Sequence, residues 1–289
     1  MKTLIAILRK ISANRDKNKL MQLLDCIISG LIHLKQYFFS WWFYRNPTQE
    51  MEKEKRFFSE HSQELKAVYD FLEDDRSRFV FENILKYRVT RDWVYLKQSK
   101  SGDNQKNQYF VSELQFCDHE IIVDCGAYVG DTAKFFIKNI PGCRVIALEP
   151  DEKNIEALQK LKLEGLEIIQ AGAWSEDTSL YFLEDIGGTS TGAISDSGVS
   201  KIEAKALDYL LECQLATYIK MDIEGAELEA LKGAEKIIKE RKPKLAICLY
   251  HKPQDFFEIP IYIKRLNPDY KLFIHHHCNS ISETVLYAV

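Results

Sequence analysis

The stretch Ile121-Ile-Val-Asp-Cys-Gly-Ala-Tyr-Val-Gly-Asp131 decides the fold predicted for this chain. Its apolar run ending in Asp124 predicts a buried parallel strand, the glycines at 126 and 130 predict a tight turn, and residues 132–140 predict a helix. Strand, glycine turn and helix in this order are typical of the nucleotide-binding start of a doubly wound α/β sheet. Glycine lets the backbone approach a ligand closely, and a helix start offers free N–H groups.

A second apolar run, Val145-Ile-Ala-Leu-Glu-Pro150, ends in Glu149 and Pro150. An acidic side chain at the end of the second strand can hold a ribose diol by accepting two hydroxyl hydrogen bonds. Because Tyr128 interrupts the pattern G-x-G-x-x-G, the turn has no obvious pyrophosphate seat, which favours a nucleoside ligand such as S-adenosylmethionine. Asp124 and Glu149 would alternatively be helix caps, but their places at the ends of successive strands favour ligand binding.

The composition is that of an ordinary soluble globular protein, with 46% hydrophobic and 28% charged residues. A net charge of −4 indicates no overall attraction to nucleic acid, although residues 1–45 hold eight basic and two acidic residues, a net of +6. Seven cysteines without a C-x-x-C pair favour a reducing cytoplasm and no zinc site. Arg9-Lys10 cuts the first apolar run too short for a secretory signal, and no apolar stretch is long enough to span a bilayer.

Residues 1–100 are predicted to form an N-terminal helical cap, and residues 101–289 the main domain. Up to residue 90, Gly30 and Pro47 are the only helix breakers, and apolar residues recur at helical spacing. Helices are expected over residues 48–73 and 76–87, with a polar linker at 98–108. The basic, aromatic segment 1–45 would lie peripherally on the inner face of the membrane. Alternatively, it packs on the sheet domain or on a second subunit of a homodimer.

From residue 120 onward, predicted strands and helices alternate, which argues for a parallel sheet with helices on both faces. The strands are expected near residues 121–125, 144–148, 166–170, 217–222 and 244–249. Residues 270–275 and 283–289 look like a terminal strand pair, with the last strand inserted beside its neighbour.

A third motif, Tyr218-Ile-Lys-Met-Asp-Ile-Glu-Gly-Ala-Glu227, delivers Asp222 at the carboxyl end of an apolar strand. Ligands of open α/β sheets bind outside these strand ends, so Asp124, Glu149 and Asp222 are expected to converge on one crevice. Lys220 lies on the same face of the strand as Asp222, either as a salt-bridge partner within the site or as a catalytic group.

Together the three motifs resemble the FkbM-type methyltransferases over roughly residues 109–289. The residues that carry the resemblance are Tyr109-Phe110, Val123-Asp-Cys-Gly-Ala127, Gly130-Asp131, Leu148-Glu-Pro150 and Lys220-Met-Asp-Ile-Glu-Gly-Ala226, with Leu231 and Gly233-Ala234. The resemblance implies a Rossmann-like class I fold whose last strand is antiparallel, and O-methylation by S-adenosylmethionine of a hydroxyl on a small-molecule or glycan acceptor. Known members act on sugars, glycolipid or lipooligosaccharide precursors, and polyketide hydroxyls.

The resemblance also implies where the cofactor binds. Gly126, Ala127 and Gly130 would line its methionine part, with Tyr128 and Asp131 in the same turn. Asp124 would sit beside the turn, and Glu149 with Pro150 would meet the ribose. Ala173 and Trp174 would contact the adenine, where Trp174 would stack on the base or belong to the core. Asp222 would lie next to the transferring methyl group.

The reaction is an in-line displacement at a sulfonium methyl, and a positioned base would assist the poorly nucleophilic hydroxyl. Candidates for that base are Asp222, Glu224 and His251, although a lone histidine after a strand is often structural. Asp222 with Glu224 would alternatively hold Mg²⁺ against two sugar oxygens. In His275-His-His277 adjacent side chains point to opposite faces, so at most two could share an ion.

Other classes of function are less consistent with the chain. A nicotinamide-dependent reductase is disfavoured, because both G-x-G-x-x-G and Tyr-x-x-x-Lys are absent from the sequence. A non-catalytic scaffold that binds a partner through the helical cap would not need Asp124, Glu149 and Asp222 together. The glycine-rich segment 187–192 is either a surface turn or a loop that closes over the acceptor.

Overall fold

The structure is a computed structural model that describes residues 47–101, 108–183, 193–194 and 200–289. The chain divides into two compact units, Met1–Lys53 and Glu54–Val289. The interpretations of residues 1–45 and of the glycine-rich segment 187–192 therefore fall outside the described residues. The predicted domain division after residue 100 stays a prediction.

The first described element is helix α1 (Pro47–Glu60), which begins at a proline, a residue suited to the first helical position. Helix α2 (Ser62–Phe71) follows after His61, so the single helix predicted over residues 48–73 is wrong. Helix α3 (Asp75–Thr90) agrees with the prediction, whereas helix α4 (Trp93–Ser99) was not predicted. Asp74 and Asp92 cap these two helices by accepting backbone N–H groups, which explains where each begins.

Strands and helices then alternate, as the apolar runs predicted. The strands of the main sheet are β1 (Ile121–Cys125), β2 (Arg144–Leu148), β3 (Leu166–Ile169), β8 (Tyr218–Met221), β9 (Lys244–Cys248), β10 (Leu272–His276) and β11 (Thr284–Ala288). Those of a second sheet are β4 (Gly172–Ala173), β5 (Thr178–Leu183), β6 (Ala193–Ile194) and β7 (Ser200–Lys205). The remaining described α-helices are α5 (Asp131–Asn139), α6 (Glu152–Leu161), α7 (Glu227–Lys232), α8 (Glu235–Arg241) and α9 (Asp255–Leu266).

The main sheet has seven strands in the order β10-β11-β9-β8-β1-β2-β3. Strands β3, β2, β1, β8 and β9 pair in parallel, and β11 runs antiparallel between β9 and β10. The predicted doubly wound sheet with an antiparallel last strand is confirmed. Strand order reverses between β1 and β8, and the carboxyl ends there form the crevice where such sheets bind ligands.

Helices cover both faces of this sheet, which is why its strands are apolar without interruption. Val123 and Ile219 belong to one buried cluster, and their neighbours Ile122 and Tyr218 belong to another. All four side chains are fully buried, since successive residues of a strand point to opposite faces.

Helices α3 and α4 pack at the β10 edge of the sheet, and α2 packs against α9. Leu72 and Lys100 form isolated bridges with Leu272 and His276, and the Ile274 N–H donates to the buried Ser77 Oγ at 3.0 Å. For this part of the chain, packing on the sheet is the observed arrangement. Among the described residues, no helix combines the length and the apolar character needed to cross a membrane.

The second sheet, in the order β4-β7-β5-β6, lies between β3 and β8 in the chain and was not predicted. Its strand β4 pairs in parallel with β7 through Gly172 and Ala173. The Trp174 N–H then donates to the Lys205 carbonyl at 2.8 Å, which fixes the backbone just beyond the third strand.

Candidate active site

The glycine turn after β1 is bound tightly to its two neighbouring strands. The Gly126 and Ala127 N–H groups donate to the Leu148 carbonyl at 3.0 and 3.2 Å. Gly126 has φ +75°, and a Cβ atom there would lie 2.0 Å from the carbonyl oxygen of Asp222. Only glycine permits this approach, which brings the first and third sequence motifs together.

Gly130 serves a different purpose at the other end of the turn. Its φ is +85°, and a Cβ atom would lie 2.5 Å from Leu161 Cδ1 and 2.7 Å from Leu158 Cδ2. Packing of α6 therefore explains this glycine. Asp131, the first residue of α5, is exposed, and its negative charge suits the start of a helix.

Asp124 is fully buried and forms an ion pair with Lys220 at 2.9 Å. Lys220 Nζ also donates to the carbonyls of Cys125 at 3.3 Å and Gly126 at 2.8 Å. Burial by itself would lower the pKa of Lys220, but the carboxylates of Asp124 and Asp222 raise it, so the ammonium stays charged. These contacts use its three donors, and Lys220 is the salt-bridge partner that holds the turn in place.

Glu149 lies at the end of β2 and receives three N–H groups. Tyr128 N donates to Oε2 at 2.8 Å, while Asp151 N and Asn154 Nδ2 donate to Oε1 at 3.0 and 3.2 Å. A carboxylate has about four acceptor positions, so one remains for a ligand hydroxyl. Tyr128 adopts φ +50°, which is unusual for a residue with a side chain, and it is exposed. Pro150 is half-buried.

Asp222, just beyond β8, is held by two tyrosine hydroxyls. Tyr109 Oη donates to Oδ2 at 2.9 Å and Tyr250 Oη donates to Oδ1 at 2.8 Å. Burial opposes ionisation of this carboxyl. Nevertheless Lys220 and His251 beside it, together with the two hydroxyls, hold the pKa of Asp222 below its usual value. Asp222 is therefore an oriented carboxylate.

His251 follows β9 and is surrounded by carboxylates. Its Nδ1 lies 2.9 Å from Glu227 Oε1, and its Nε2 lies 3.4 Å from Glu224 Oε2 and 3.5 Å from Asp222 Oδ1. Burial would lower the pKa of the imidazole, but Glu227, Asp222 and Glu224 raise it to about 9. A protonated imidazole cannot accept a proton, so these carboxylates disfavour His251 as a general base.

Glu224 occupies the turn between β8 and α7, where its backbone adopts φ +56°. Strained residues of this kind cluster at functional sites. Its side chain is 30% exposed, against 25% for Asp222 and 8% for His251. Burial, with Asp222 and Glu227 nearby, raises the pKa of Glu224 to about 7.

Four residues of the site were assigned no catalytic or binding role in the sequence-based predictions, although Tyr109 is among the residues that carry the family resemblance. Tyr109 and Tyr250 bind Asp222, Glu227 is fully buried beside His251, and Asp255 accepts the Lys252 N–H at 2.8 Å. Burial, with Glu227 nearby, raises the pKa of Asp255 to about 7. Glu227 stands in the third motif and Tyr250 precedes His251, so their closeness in sequence to predicted site residues could have identified them. No sequence signal pointed to Asp255.

Three donor groups come close enough together to hold a metal ion. Among the described residues, Asp222, Glu227 and His251 form one such group, whose donor atoms all lie within 4.8 Å of one another. Glu224 is not in this group, and the Mg²⁺ site predicted from Asp222 and Glu224 is not supported.

The histidine triplet does not converge on a common point. His275 Nε2 lies 3.1 Å from Glu113 Oε1, His276 Nδ1 lies 3.0 Å from Thr284 Oγ1, and His277 Nε2 lies 2.7 Å from Tyr287 Oη. Each ring has its own partner, so the triplet is structural.

The assignment of Ala173 and Trp174 as adenine contacts stays a prediction. Ala173 is buried and Trp174 is half-buried, at the end of β4. A Cβ atom at Gly233 would lie 1.9 Å from the Trp174 carbonyl oxygen, so this segment packs closely on the end of α7.

A seven-stranded sheet of this order, with a glycine turn after β1 and acidic residues at or just beyond the ends of β1, β2 and β8, defines the class I methyltransferase fold. Residues 124–279 match the sequence profile of the Methyltransferase FkbM domain. The chain belongs to the FkbM methyltransferase family. The resemblance of the three motifs to this family is confirmed.

One solved structure of this family is similar to the chain over most of its length. The chain is similar to methyltransferase FkbM from Methylobacillus flagellatus KT, with 29% identity and a TM-score of 0.70 over 80% of this chain and 60% of that one. It also matches an rRNA methylase from Streptococcus thermophilus (18% identity, TM-score 0.40, 63% and 92% covered). A third match is Aeropyrum pernix fibrillarin with natively bound S-adenosyl-L-methionine (12% identity, TM-score 0.40, 64% and 76% covered). Comparison with curated proteins produced no match.

Proposed function

We propose that this protein transfers the methyl group of S-adenosylmethionine to a hydroxyl oxygen of a sugar in a glycan or glycolipid precursor. The observation that carries the proposal is the contact of the glycine turn with the end of β8, where Gly126 meets the Asp222 backbone. Glu149 follows β2, which pairs with the other side of β1, and its carboxylate has one acceptor position left. The carboxylates proposed to bind the ribose and to lie beside the reacting methyl group thus follow strands of one sheet, in a chain of the FkbM family.

The bound cofactor would supply an electrophilic methyl group on a positively charged sulfur. The contribution of the chain is to orient the acceptor hydroxyl and to take its proton. Both oxygens of Asp222 already accept a tyrosine hydroxyl, and both nitrogens of His251 face carboxylates. Glu224 is the candidate whose carboxylate is most open to solvent, and we assign it the role of general base.

The chemistry of the crevice favours a polyhydroxyl acceptor. Carboxylates only accept hydrogen bonds, and tyrosine hydroxyls both donate and accept them, so Asp222, Glu224 and Tyr250 complement the hydroxyl groups of a sugar. An anionic group of the acceptor would be repelled by the same carboxylates. Neutral sugar rings are therefore the first acceptors to test.

The cofactor step can be tested by calorimetric titration of S-adenosylmethionine and S-adenosylhomocysteine. Loss of a hydrogen bond to a charged group costs about 1.5–3 kcal/mol, so Glu149→Gln should weaken binding by about 10- to 150-fold. Glu152→Gln is the matched control, because Glu152 is an exposed acid at the start of α6. Absence of binding to wild type, or equal binding by both variants, would overturn the cofactor assignment.

The acceptor step can be tested with methyl-labelled cofactor and a panel of sugar nucleotides and glycolipids. Transfer to oxygen would be identified from the mass and fragmentation of the product. The proposal predicts a labelled hydroxyl on a neutral sugar ring. The sugar proposal would be overturned if the protein binds the cofactor but methylates no carbohydrate in the panel. Methylation of a non-carbohydrate hydroxyl would then identify the acceptor class.

We propose that the protein is cytoplasmic and that residues 1–45 contact the inner face of the membrane; the alternative is that they pack on the sheet domain or on a second subunit of a homodimer. The segment carries a net charge of +6 and would meet anionic lipid beside a lipid-linked acceptor. Flotation with anionic and with neutral vesicles tests the contact, and sedimentation tests the dimer. If the protein floats with neither the anionic nor the neutral vesicles, the membrane contact is refuted.

A further inference from the structure

The group formed by Asp222, Glu227 and His251 carries an inference beyond the methyl-transfer reaction. Each residue comes from a different element: Asp222 follows β8, Glu227 begins α7 and His251 follows β9. Their donor atoms lie within 4.8 Å of one another. Two carboxylate oxygens and an imidazole nitrogen, fixed by the core of the fold, are a common ligand set for divalent metal ions.

A second observation concerns Glu227 alone. Its side chain is fully buried, and its Oε1 accepts the Ile223 N–H at 2.9 Å and lies 2.9 Å from His251 Nδ1. Its other oxygen, Oε2, is buried and has no hydrogen-bond partner among the described residues. A buried carboxylate oxygen without a donor is costly, so a ligand is expected to approach it.

A proton on His251 does not remove this cost. The imidazole N–H can donate to Glu227 Oε1, the oxygen that already receives the Ile223 N–H, while Oε2 stays without a donor. The surrounding charge points the same way. The Glu224 carboxylate lies 3.4 Å from His251 Nε2 at the border of the group, and Lys220 is committed to Asp124.

We propose that Asp222, Glu227 and His251 bind one divalent first-row transition ion. Imidazole suits Zn²⁺ and Fe²⁺ and carboxylates suit Mn²⁺, so a mixed set of these ligands favours such ions over Mg²⁺, which prefers oxygen ligands and several waters. On binding, the ion replaces the imidazole proton, which is released to solvent. Small side-chain rotations would bring the three donors to the 2.0–2.2 Å typical of such ions.

The ion would stand beside the proposed acceptor site. There it would bind the acceptor oxygen and make its hydroxyl more acidic, while Glu224, which is not a ligand, remains available to take the proton. This use of the ion rests on the proposed function, whereas the binding itself does not.

Mn²⁺ titrated into metal-stripped full-length protein and followed by electron paramagnetic resonance tests the proposal. We expect one bound Mn²⁺ per chain, displaced by Zn²⁺ more readily than by Mg²⁺. Glu227→Gln and His251→Asn should each weaken Mn²⁺ binding by at least about tenfold, the smallest effect typical of losing even an outer-shell partner. Asp255→Asn removes a charge at the same cluster without touching the ligand set, and it should bind like wild type.

Binding of S-adenosylmethionine, measured in the same preparations without metal, separates the two proposals and reports folding of the variants. Cofactor binding by wild type without any Mn²⁺ or Zn²⁺ binding would overturn the metal site and leave the methyltransferase proposal standing. Mn²⁺ binding that is unchanged in both ligand variants, or weakened equally in Asp255→Asn, would also overturn it. Mn²⁺ binding without cofactor binding would support the metal site and overturn the methyltransferase proposal.

Discussion

The ion pair between Asp124 and Lys220 allows the sharpest prediction about stability. The two side chains are 0% and 3% exposed, and their charged atoms are 2.9 Å apart. In Lys220→Met the methionine fills most of the same volume but leaves the Asp124 carboxylate buried without its partner. The carbonyls of Cys125 and Gly126 lose their donor at the same time.

Removing one partner of a buried ion pair costs about 3–5 kcal/mol. This is a large part of the total unfolding free energy of a typical domain, which is about 5–15 kcal/mol. Much of that loss comes from the orphaned charge. The double variant Asp124→Asn, Lys220→Met should therefore be more stable than Lys220→Met alone, by about 0.5–3 kcal/mol of coupling. Lys66→Met is the matched control, because Lys66 pairs with Asp70 at the same 2.9 Å with side chains 73% and 56% exposed. Loss of this exposed ion pair should lower the unfolding free energy by less than about 1 kcal/mol.

Urea unfolding followed by circular dichroism and by tryptophan fluorescence would measure all four proteins. Coincident transitions from the two probes justify a free energy of unfolding for each variant. The reasoning is refuted if Lys220→Met loses no more stability than Lys66→Met. It is also refuted if the double variant is less stable than the single one.

Four further predictions concern the site, the pH response and the surface. Gly126→Ala places a Cβ atom 2.0 Å from the Asp222 carbonyl oxygen at φ +75°. The variant should lose more unfolding free energy than the about 1–2 kcal/mol of backbone strain, measured by thermal unfolding. It should also lose cofactor binding, measured by calorimetry. Glu224→Gln should lower kcat by about 10²–10⁴-fold and leave the cofactor Kd unchanged, measured by steady-state kinetics and calorimetry. Burial lowers the pKa of His277 to about 3, whereas an unfolded histidine has a pKa of about 6.5. Between these two pH values the unfolded chain binds a proton that the folded chain does not, so the unfolding free energy falls as the pH drops from about 6.5 towards 3. In His277→Gln, the loss of unfolding free energy between pH 7 and pH 5 should be smaller by about 2 kcal/mol, measured by urea unfolding at both pH values. Leu211→Ser, at a side chain 85% exposed, should change stability by less than about 0.5 kcal/mol in thermal unfolding.

Each of these has a clear contrary result. Cofactor binding by Gly126→Ala at wild-type affinity would show that the turn can open without consequence. An unchanged kcat in Glu224→Gln would assign the base to another group. A pH profile of His277→Gln parallel to wild type would show that this histidine is not held neutral by burial, and strong destabilisation by Leu211→Ser would place Leu211 in a contact outside the described residues.

The strands of the main sheet could be predicted because their cause is local. Runs such as Ile121–Cys125 and Lys244–Cys248 are apolar throughout, since both faces of the sheet are covered, and their lengths suit strands rather than helices. The second sheet escaped prediction for the opposite reason. Strand β4 has two residues, and it pairs with β7, about thirty residues away, rather than with an adjacent run that would mark it.

The sequence by itself determined that acidic residues end successive parallel strands and that glycine must follow the first. These facts place Asp124, Glu149 and Asp222 at one sheet edge, because parallel strands share the direction of their carboxyl ends. The sequence also left three candidates for the base. It contained no means of ranking them, because the intrinsic pKa of a side chain does not depend on its distant neighbours in the chain.

Only the tertiary structure decided what each of these groups is. The Tyr109 hydroxyl reaches Asp222 across 113 residues of sequence, and Glu227 and His251 meet from the start of α7 and the end of β9. The charge of a buried group is set by the groups within a few ångströms of it, and the fold brings those together from separate elements. For that reason Asp124 became the partner of Lys220, His251 came to lie among carboxylates that raise its pKa, and the fully buried Glu227 came to lie beside His251, in the group proposed to bind a metal ion.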